Sequence, residues 1–248
     1  EVNRVKLIFL GNTGVGKTTL YKVLKHEDTD YFEYEGNSTE GVNIFNYEFY
    51  ESRKLIEVKG YDFGGQDYYH NTHYSFFSTN ALYVLLWGNN QYIYHRAYFD
   101  RKNSNDESKT EITYPLNYWL GSVSYFINKE KEVIDPKTLS GKRKYTENIK
   151  LHLIQNPNCL NDIYSPEYDL DRLTLKNKYK FISGFETFPS LTEENFLNYK
   201  VQVKDSLENI IKNYSRVESY PKILARIESR LKNILKKEGK FIISVDDI

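Results

Sequence analysis

Residues 11–20 read GNTGVGKTTL and directly follow the apolar run VKLIFL. Gly11, Gly14, Gly16, Lys17 and Thr18 fill G-x-x-x-x-G-K-[ST] at every defined position. RVKLIFLG before it has the composition of a buried strand, and GKTTLYKVLK after it that of a helix with Leu20 and Leu24 on one face. Such a strand–loop–helix places successive amides around phosphate oxygens and adds the positive end of the helix. The competing reading is a Gly-rich turn with no ligand.

Outward from that loop, strand-like and helix-like runs alternate. EGVNIFNYEFY and KLIEVKGYDFGG are separated by the polar ESR, a hairpin signal. ALYVLLWG and IKLHLIQN suit buried strands, and YKFISGF suits a further strand. YPLNYWLGSVSYFIN predicts a helix beginning after Pro115. A further helix is expected in TEENFLNYKVQVKDSLENIIKNY, with acidic residues in its first turn, and another in YPKILARIESRLKNILKK. Alternation of this kind predicts an α/β domain with a mostly parallel central sheet flanked by helices. Two polar stretches, 89–113 and 129–145, are expected to be surface insertions or disordered segments.

Composition excludes several classes. The 248 residues carry 34 basic and 34 acidic side chains, against the basic excess of a general nucleic-acid binder. No apolar run reaches membrane-spanning length, and no signal peptide is legible. The single cysteine, Cys159, suits a reducing compartment, and a cytoplasmic location is expected. The chain begins at Glu1 and contains no methionine, as expected of a processed start or a piece of a longer protein.

The phosphate loop alone does not distinguish kinase, ATPase and GTPase. Lys17 is expected to reach the β- and γ-phosphates and the Thr18 hydroxyl to bind Mg²⁺. In YDFGGQDYYH, Asp62 stands at a strand end, where a carboxylate holds Mg²⁺ through water. The Gly65 amide is placed for a γ-phosphate, and Gln66 for orienting an attacking water. Between the two motifs, Thr39 of NSTEGVNI precedes a strand, in a loop of the kind that closes over Mg²⁺ and γ-phosphate; Ser38 competes with it. His26, His70, His73, His95 and His152 show no metal-ligand spacing, and no Ser-His-Asp or Cys-His arrangement is legible.

GNTGVGKTTL, STEGV and YDFGGQDYYHNTHYSFFSTNALYVLLW together resemble the Roc domain of Roco proteins, which are Ras-like GTPases. The run after Gln66 is the most specific part, and YPLNYWLGSVSYF is similar to the Roc helix that follows the next strand. ESYPKILARIESRLKN and KFIISVDDI resemble the start of the COR domain that follows Roc. The resemblance implies a Ras-like P-loop fold over residues 1–218 and the beginning of a COR-like segment over 219–248. It implies a Mg²⁺-dependent, slow GTPase switch within a larger protein, with GTP and GDP as ligands. A homodimer or neighbouring domains are the implied partners, with no nucleic acid and no membrane span. It assigns phosphate binding to Gly14, Gly16, Lys17, Thr18 and Thr19, and further nucleotide contacts are expected at Asn12, Thr13, Val15, Asn156 and Ser183. The metal falls to Thr18, Thr39 and Asp62, and catalysis to Lys17, Thr39 and Gln66, with Gly65 on the γ-phosphate.

The base-recognition motif departs from the family pattern N-K-x-D. Asn156 matches, Pro157 replaces lysine, and Cys159 stands where aspartate is expected. A thiol is a weak partner for guanine without a fixed charge. Asp162 is wrongly spaced to replace it, and in FISGF only Ser183 matches the S-A-K expected near the base. Three readings stay open: a GTPase with relaxed or rebuilt base recognition, an NTPase preferring ATP or neither nucleotide, and a nucleotide-binding assembly module with little hydrolysis. No residue is assigned as a catalytic arginine; Arg96 and Arg101 lie in the first polar stretch.

Overall fold

The structure, a computed structural model, describes residues 2–24, 41–64, 74–78, 81–88, 94–98, 109–132, 149–157, 171–188 and 196–215. Its elements are β1 (Val2–Leu10), α1 (Lys17–Leu24), β2 (Val42–Glu51), β3 (Lys54–Phe63), a 3₁₀ turn (Tyr74–Phe76), β4 (Leu82–Trp87), β5 (Tyr94–Tyr98), β6 (Lys109–Thr113), α2 (Leu116–Glu132), β7 (Lys150–Gln155), α3 (Arg172–Lys178), β8 (Ile182–Thr187) and α4 (Phe196–Ser215). Six strands form one sheet in the order β2-β3-β1-β4-β7-β8. Only the β2–β3 pair is antiparallel; the other four pairings are parallel. This is the mostly parallel α/β sheet that the alternation predicts.

The central strands are apolar on both faces because helices cover both faces. Val5, Leu7 and Phe9 of β1 pack with Leu20 and Leu24 of α1 and with Val203, Leu207 and Ile211 of α4. Ile8 and Leu10 point the other way, into a cluster with Trp119, Leu120 and Val123 of α2. All six residues of β4 are buried. The edge strand β2 instead alternates, with Phe45 and Phe49 buried between more exposed neighbours.

The β2–β3 hairpin turns on Ser52 and Arg53, both at positive φ (48° and 67°). Their signs match the turn that suits twisted strands, although neither residue is of the type that favours it.

Within the first polar stretch, two described segments form strands, as a surface insertion would allow. Residues 94–98 and 109–113 pair antiparallel, Tyr94 opposite Thr113 and Tyr98 opposite Lys109, as a two-stranded sheet apart from the main one. Alternating β-formers such as Ile112, Thr110 and Tyr94 lie within the polar composition and support the pairing. In the second stretch, 129–132 is the end of α2, and the remainder lies outside the described residues. One helix, α3, stands outside the elements that the sequence pattern predicts. Asp171 caps it, accepting from the Thr174 amide at 2.9 Å and from its hydroxyl at 2.6 Å. The expected COR-like segment 219–248 lies outside the described residues.

Candidate functional site

Parallel order brings the C-terminal ends of β1, β3, β4 and β7 to one edge of the sheet, where ligands bind in open α/β folds. Each end delivers one part of the site. From β1 comes the loop 11–16, which passes into α1 with the Leu20 amide donating to the Gly16 carbonyl at 3.0 Å. Gly14 and Gly16 lie at φ of 76° and 97°, in the left-handed region that glycine enters without strain.

Lys17 is only 6% exposed and lies folded into the loop. Its Nζ donates to the carbonyls of Gly11 and Asn12, both at 2.7 Å. The ammonium is thus pinned inside the loop's curve, where phosphate oxygens would sit. Phe9 of β1 pairs with Asp62 of β3, which carries the aspartate alongside the root of the loop. Asp62 is fully buried, and its Oδ2 accepts from the Thr18 hydroxyl at 2.7 Å. Residues 44 apart in sequence thereby place two hard oxygen donors side by side.

β7 supplies Asn156. Its amide donates to the Trp87 carbonyl at 2.9 Å, and its Nδ2 donates to the Val15 carbonyl at 2.8 Å. Asn156 therefore ties the end of β7 to the end of β4 and to the phosphate loop. The hydroxyl-bearing neighbours differ from one another. Thr13 is half-buried in the loop, and Thr19 is exposed on the first turn of α1. The carboxamide of Asn12 is committed to Tyr114 and Trp119, so Asn12 brings its main chain, not its side chain, to the loop's hollow.

Ser183 is not at the site. It stands at the start of β8 and donates to the Leu151 carbonyl at 3.1 Å, whereas the site edge of β8 is Thr187, opposite Gln155. Four residues of strand separate the two, roughly 13 Å at the usual rise. The motif match failed because it was made inside the strand instead of after it.

Thr39, Gly65, Gln66 and Cys159 lie outside the described residues, as do Ser38, His26, His70, His73, Arg101 and Asp162. The residues flanking the two switch-like segments are described, and the Gly64 amide donates to the Gly41 carbonyl at 2.9 Å. That bond holds Gly41, just before β2, beside Gly64, just after β3. Of the remaining histidines, His95 belongs to β5, and His152 stands half-buried in the middle of β7, away from the site edge. Burial holds its imidazole at about 4, well below the usual 6.5. Among the described residues, no three His, Cys, Asp or Glu side chains gather as a metal site. The candidate ligands at Thr18 and Asp62 instead suit an ion that keeps waters and leans on phosphate, as Mg²⁺ does. Among the described residues, no helix is long and apolar enough to cross a membrane.

Comparison with known proteins bears on this arrangement. Over 94 residues the chain is 38% identical to a probable serine/threonine-protein kinase, roco11, of Dictyostelium discoideum, covering 34% of this chain and 6% of that protein. Two further probable serine/threonine-protein kinases of that organism match similarly. These are pats1 (32% over 101 residues, 34% of this chain, 3% of that protein) and qkgA (32% over 88 residues, 34% and 5%). The chain thus spans a small fraction of these relatives. Among solved structures, that of Methanosarcina barkeri Roco2 RocCORdC bound to GDP is 24% identical, covering 85% of this chain and 50% of that one, at a TM-score of 0.48. The family model described as Ras of Complex, Roc, domain of DAPkinase matches residues 6–130, half of the chain, from β1 through the phosphate loop and Asp62 into α2. With that match over the strands and loop that build the site, the chain belongs to the Roc family of Ras-like P-loop domains.

Proposed function

We propose that this Roc domain binds a guanine nucleotide with Mg²⁺ and hydrolyses GTP slowly, as a nucleotide-controlled switch within a larger protein. The observation that carries the reading is the phosphate-side set. Lys17 is buried inside the loop, and Thr18 touches Asp62 at the same strand ends. A buried ammonium surrounded by main-chain groups at a helix start suits a polyanion. Thr18, Asp62 and Thr39 would hold Mg²⁺, which neutralises charge on the β- and γ-phosphates when bound. Gln66 orients a water for in-line attack on the γ-phosphorus; the bond to the bridging oxygen breaks, leaving GDP and inorganic phosphate. Lys17 stabilises the charge that gathers on the leaving oxygens. The Gly65 amide takes a γ-phosphate oxygen, and the bond between Gly41 and Gly64 supports Thr39 and Gln66 acting over one phosphate. Turnover is slow in this reading, as in domains of this class without an arginine on the transferred group.

A second reading has its own support. Cys159 at the base-recognition position offers guanine no carboxylate, which favours relaxed selectivity or acceptance of adenine. Asn156 remains, but its side chain serves the phosphate loop. Residues 219–248 are read as the beginning of a COR-like segment. Neighbouring domains or a second copy are the partners through which a switch would act, and the lone cysteine suits a reducing cytoplasm. The deciding experiment measures binding of GDP, GTP, ADP and ATP with Mg²⁺ by calorimetry, and phosphate release from each triphosphate. Guanine preference with slow release is expected. ATP binding well above GTP moves the function to the second reading, and no binding of either at millimolar concentration refutes both.

A further inference from the structure

Asn12, second in the phosphate loop, is 3% exposed, and three hydrogen bonds converge on its carboxamide. Its Nδ2 donates to the Tyr114 carbonyl at 2.7 Å, and its Oδ1 accepts from the Tyr114 amide at 3.0 Å. The Trp119 indole donates to the same Oδ1 at 3.2 Å. The carboxamide thus meets both polar groups of one backbone residue, as a neighbouring strand would. That residue is the joint between β6, which ends at Thr113, and α2, which begins at Leu116. The joint is stiff. The Tyr114 ring stacks on Tyr118 at 4.1 Å, and Tyr118 meets Trp119 edge-on at 5.5 Å.

The main chain of the same residue faces the phosphate side. The Asn12 carbonyl holds the Lys17 ammonium at 2.7 Å. A side chain with two torsions, locked at its far end by three bonds, leaves that carbonyl little freedom. Few replacements could do this. Aspartate accepts but cannot donate to the Tyr114 carbonyl, and alanine leaves buried donors and acceptors unmet.

We propose that Asn12 is a positioning residue for Lys17 and couples occupancy of the phosphate loop to the start of α2. The proposal rests on the nucleotide-binding reading above. A purely structural asparagine would close a buried joint and affect melting alone. A positioning asparagine also moves nucleotide affinity and makes the Trp119 indole sense the nucleotide.

The test uses the full chain with Trp87→Phe, so that Trp119 is the sole indole of the two tryptophans. GDP and ADP, each with Mg²⁺, are titrated by calorimetry and by Trp119 emission. Expected is an emission change on saturation by whichever nucleotide binds. Adding Asn12→Ala should weaken that nucleotide about tenfold or more and abolish the emission change. Trp119→Phe removes one of the three bonds, and calorimetry should show about a threefold weakening. If Asn12→Ala does not fold, Trp119→Phe carries the test alone. Parent affinity in a folded Asn12→Ala, or in Trp119→Phe where that is the surviving variant, overturns the proposal while leaving nucleotide binding intact. So does an unchanged Trp119 emission at saturation. If neither nucleotide binds the parent chain, the binding reading itself has failed, and this proposal falls with it.

Discussion

Substituting Gly16→Ala should damage the phosphate loop in two separable ways. Gly16 lies at φ of 97°, and a Cβ built there would stand 2.8 Å from Asn156 Nδ2. That nitrogen donates to the Val15 carbonyl at 2.8 Å. The left-handed backbone costs an alanine about 1–2 kcal/mol. Displacing the amide strips a buried carbonyl of its donor, at about 1–3 kcal/mol. The sum is on the order of 2–5 kcal/mol, and the chain escapes it by giving up the loop's curvature. Calorimetry with GDP and Mg²⁺ should therefore show at least about a thirtyfold loss of affinity. Thermal melting without nucleotide should fall by several degrees, at about 2–4 °C per kcal/mol for a domain of this size. Gly60→Ala is the matched control. Its Cβ would run into the Phe45 ring, in the core between β2 and β3 and away from the loop. It should lower the melting temperature while leaving the affinity of the folded fraction unchanged. A Gly16→Ala chain that binds GDP within about threefold of the parent and melts with it would show that neither the left-handed backbone nor the Asn156 contact shapes the loop.

Lys17→Ala should abolish nucleotide binding in the same calorimetric assay, because it removes the ammonium that the Gly11 and Asn12 carbonyls hold in the loop. Gln66→Ala should leave GTP binding near the parent value and slow phosphate release on the order of tenfold or more; unchanged turnover removes the residue from catalysis. His152 is held neutral by burial at about 4, against 6.5 when exposed, so the unfolded chain binds the extra proton between those values. Its contribution is complete above pH 6.5 and is lost as pH falls toward 4, on the order of 3 kcal/mol at most. The Glu186 carboxylate, 3.8 Å away, trims that loss. Urea midpoints at pH 7 and 4.5 should drop more for the parent than for His152→Gln, and equal drops would contradict the assignment. Replacing Ser52–Arg53 by Asn–Gly should raise stability by about 1–3 kcal/mol, since both positions hold positive φ; a lower urea midpoint would show that the original side chains carry the turn.

Much of this molecule can be read along the chain because strands, loops and helix starts are local events. The strand–loop–helix around Lys17, the hairpin ahead of Asp62 and the helix after Pro115 each follow from residue period and turn chemistry over a short window. The order of the motifs also implies which strand ends carry them. Other features escaped that reading. The β5–β6 pairing lay hidden in a polar composition, where β-formers alternate with charges. Helix α3 is short and announced only by the Asp171 cap. Ser183 matched by type but sits at the wrong end of its strand, because a motif match does not carry the register that β7 imposes on β8.

The residue types of the loop edge are legible along the chain: a lysine and a threonine at the start of a helix, and an aspartate at the end of a strand. Which groups meet there depends on how the strands are ordered. Asn12 finds Tyr114 across 102 residues, and Asn156 finds Val15 across 141. The physical reason is that backbone conformation is set within a few residues, whereas side-chain partners are set by strand order and crossovers. Parallel pairing of β1 with β3 and β4, and of β4 with β7, gathers distant loops at one sheet edge. There a short amide side chain can bridge them, and no spacing along the chain announces it.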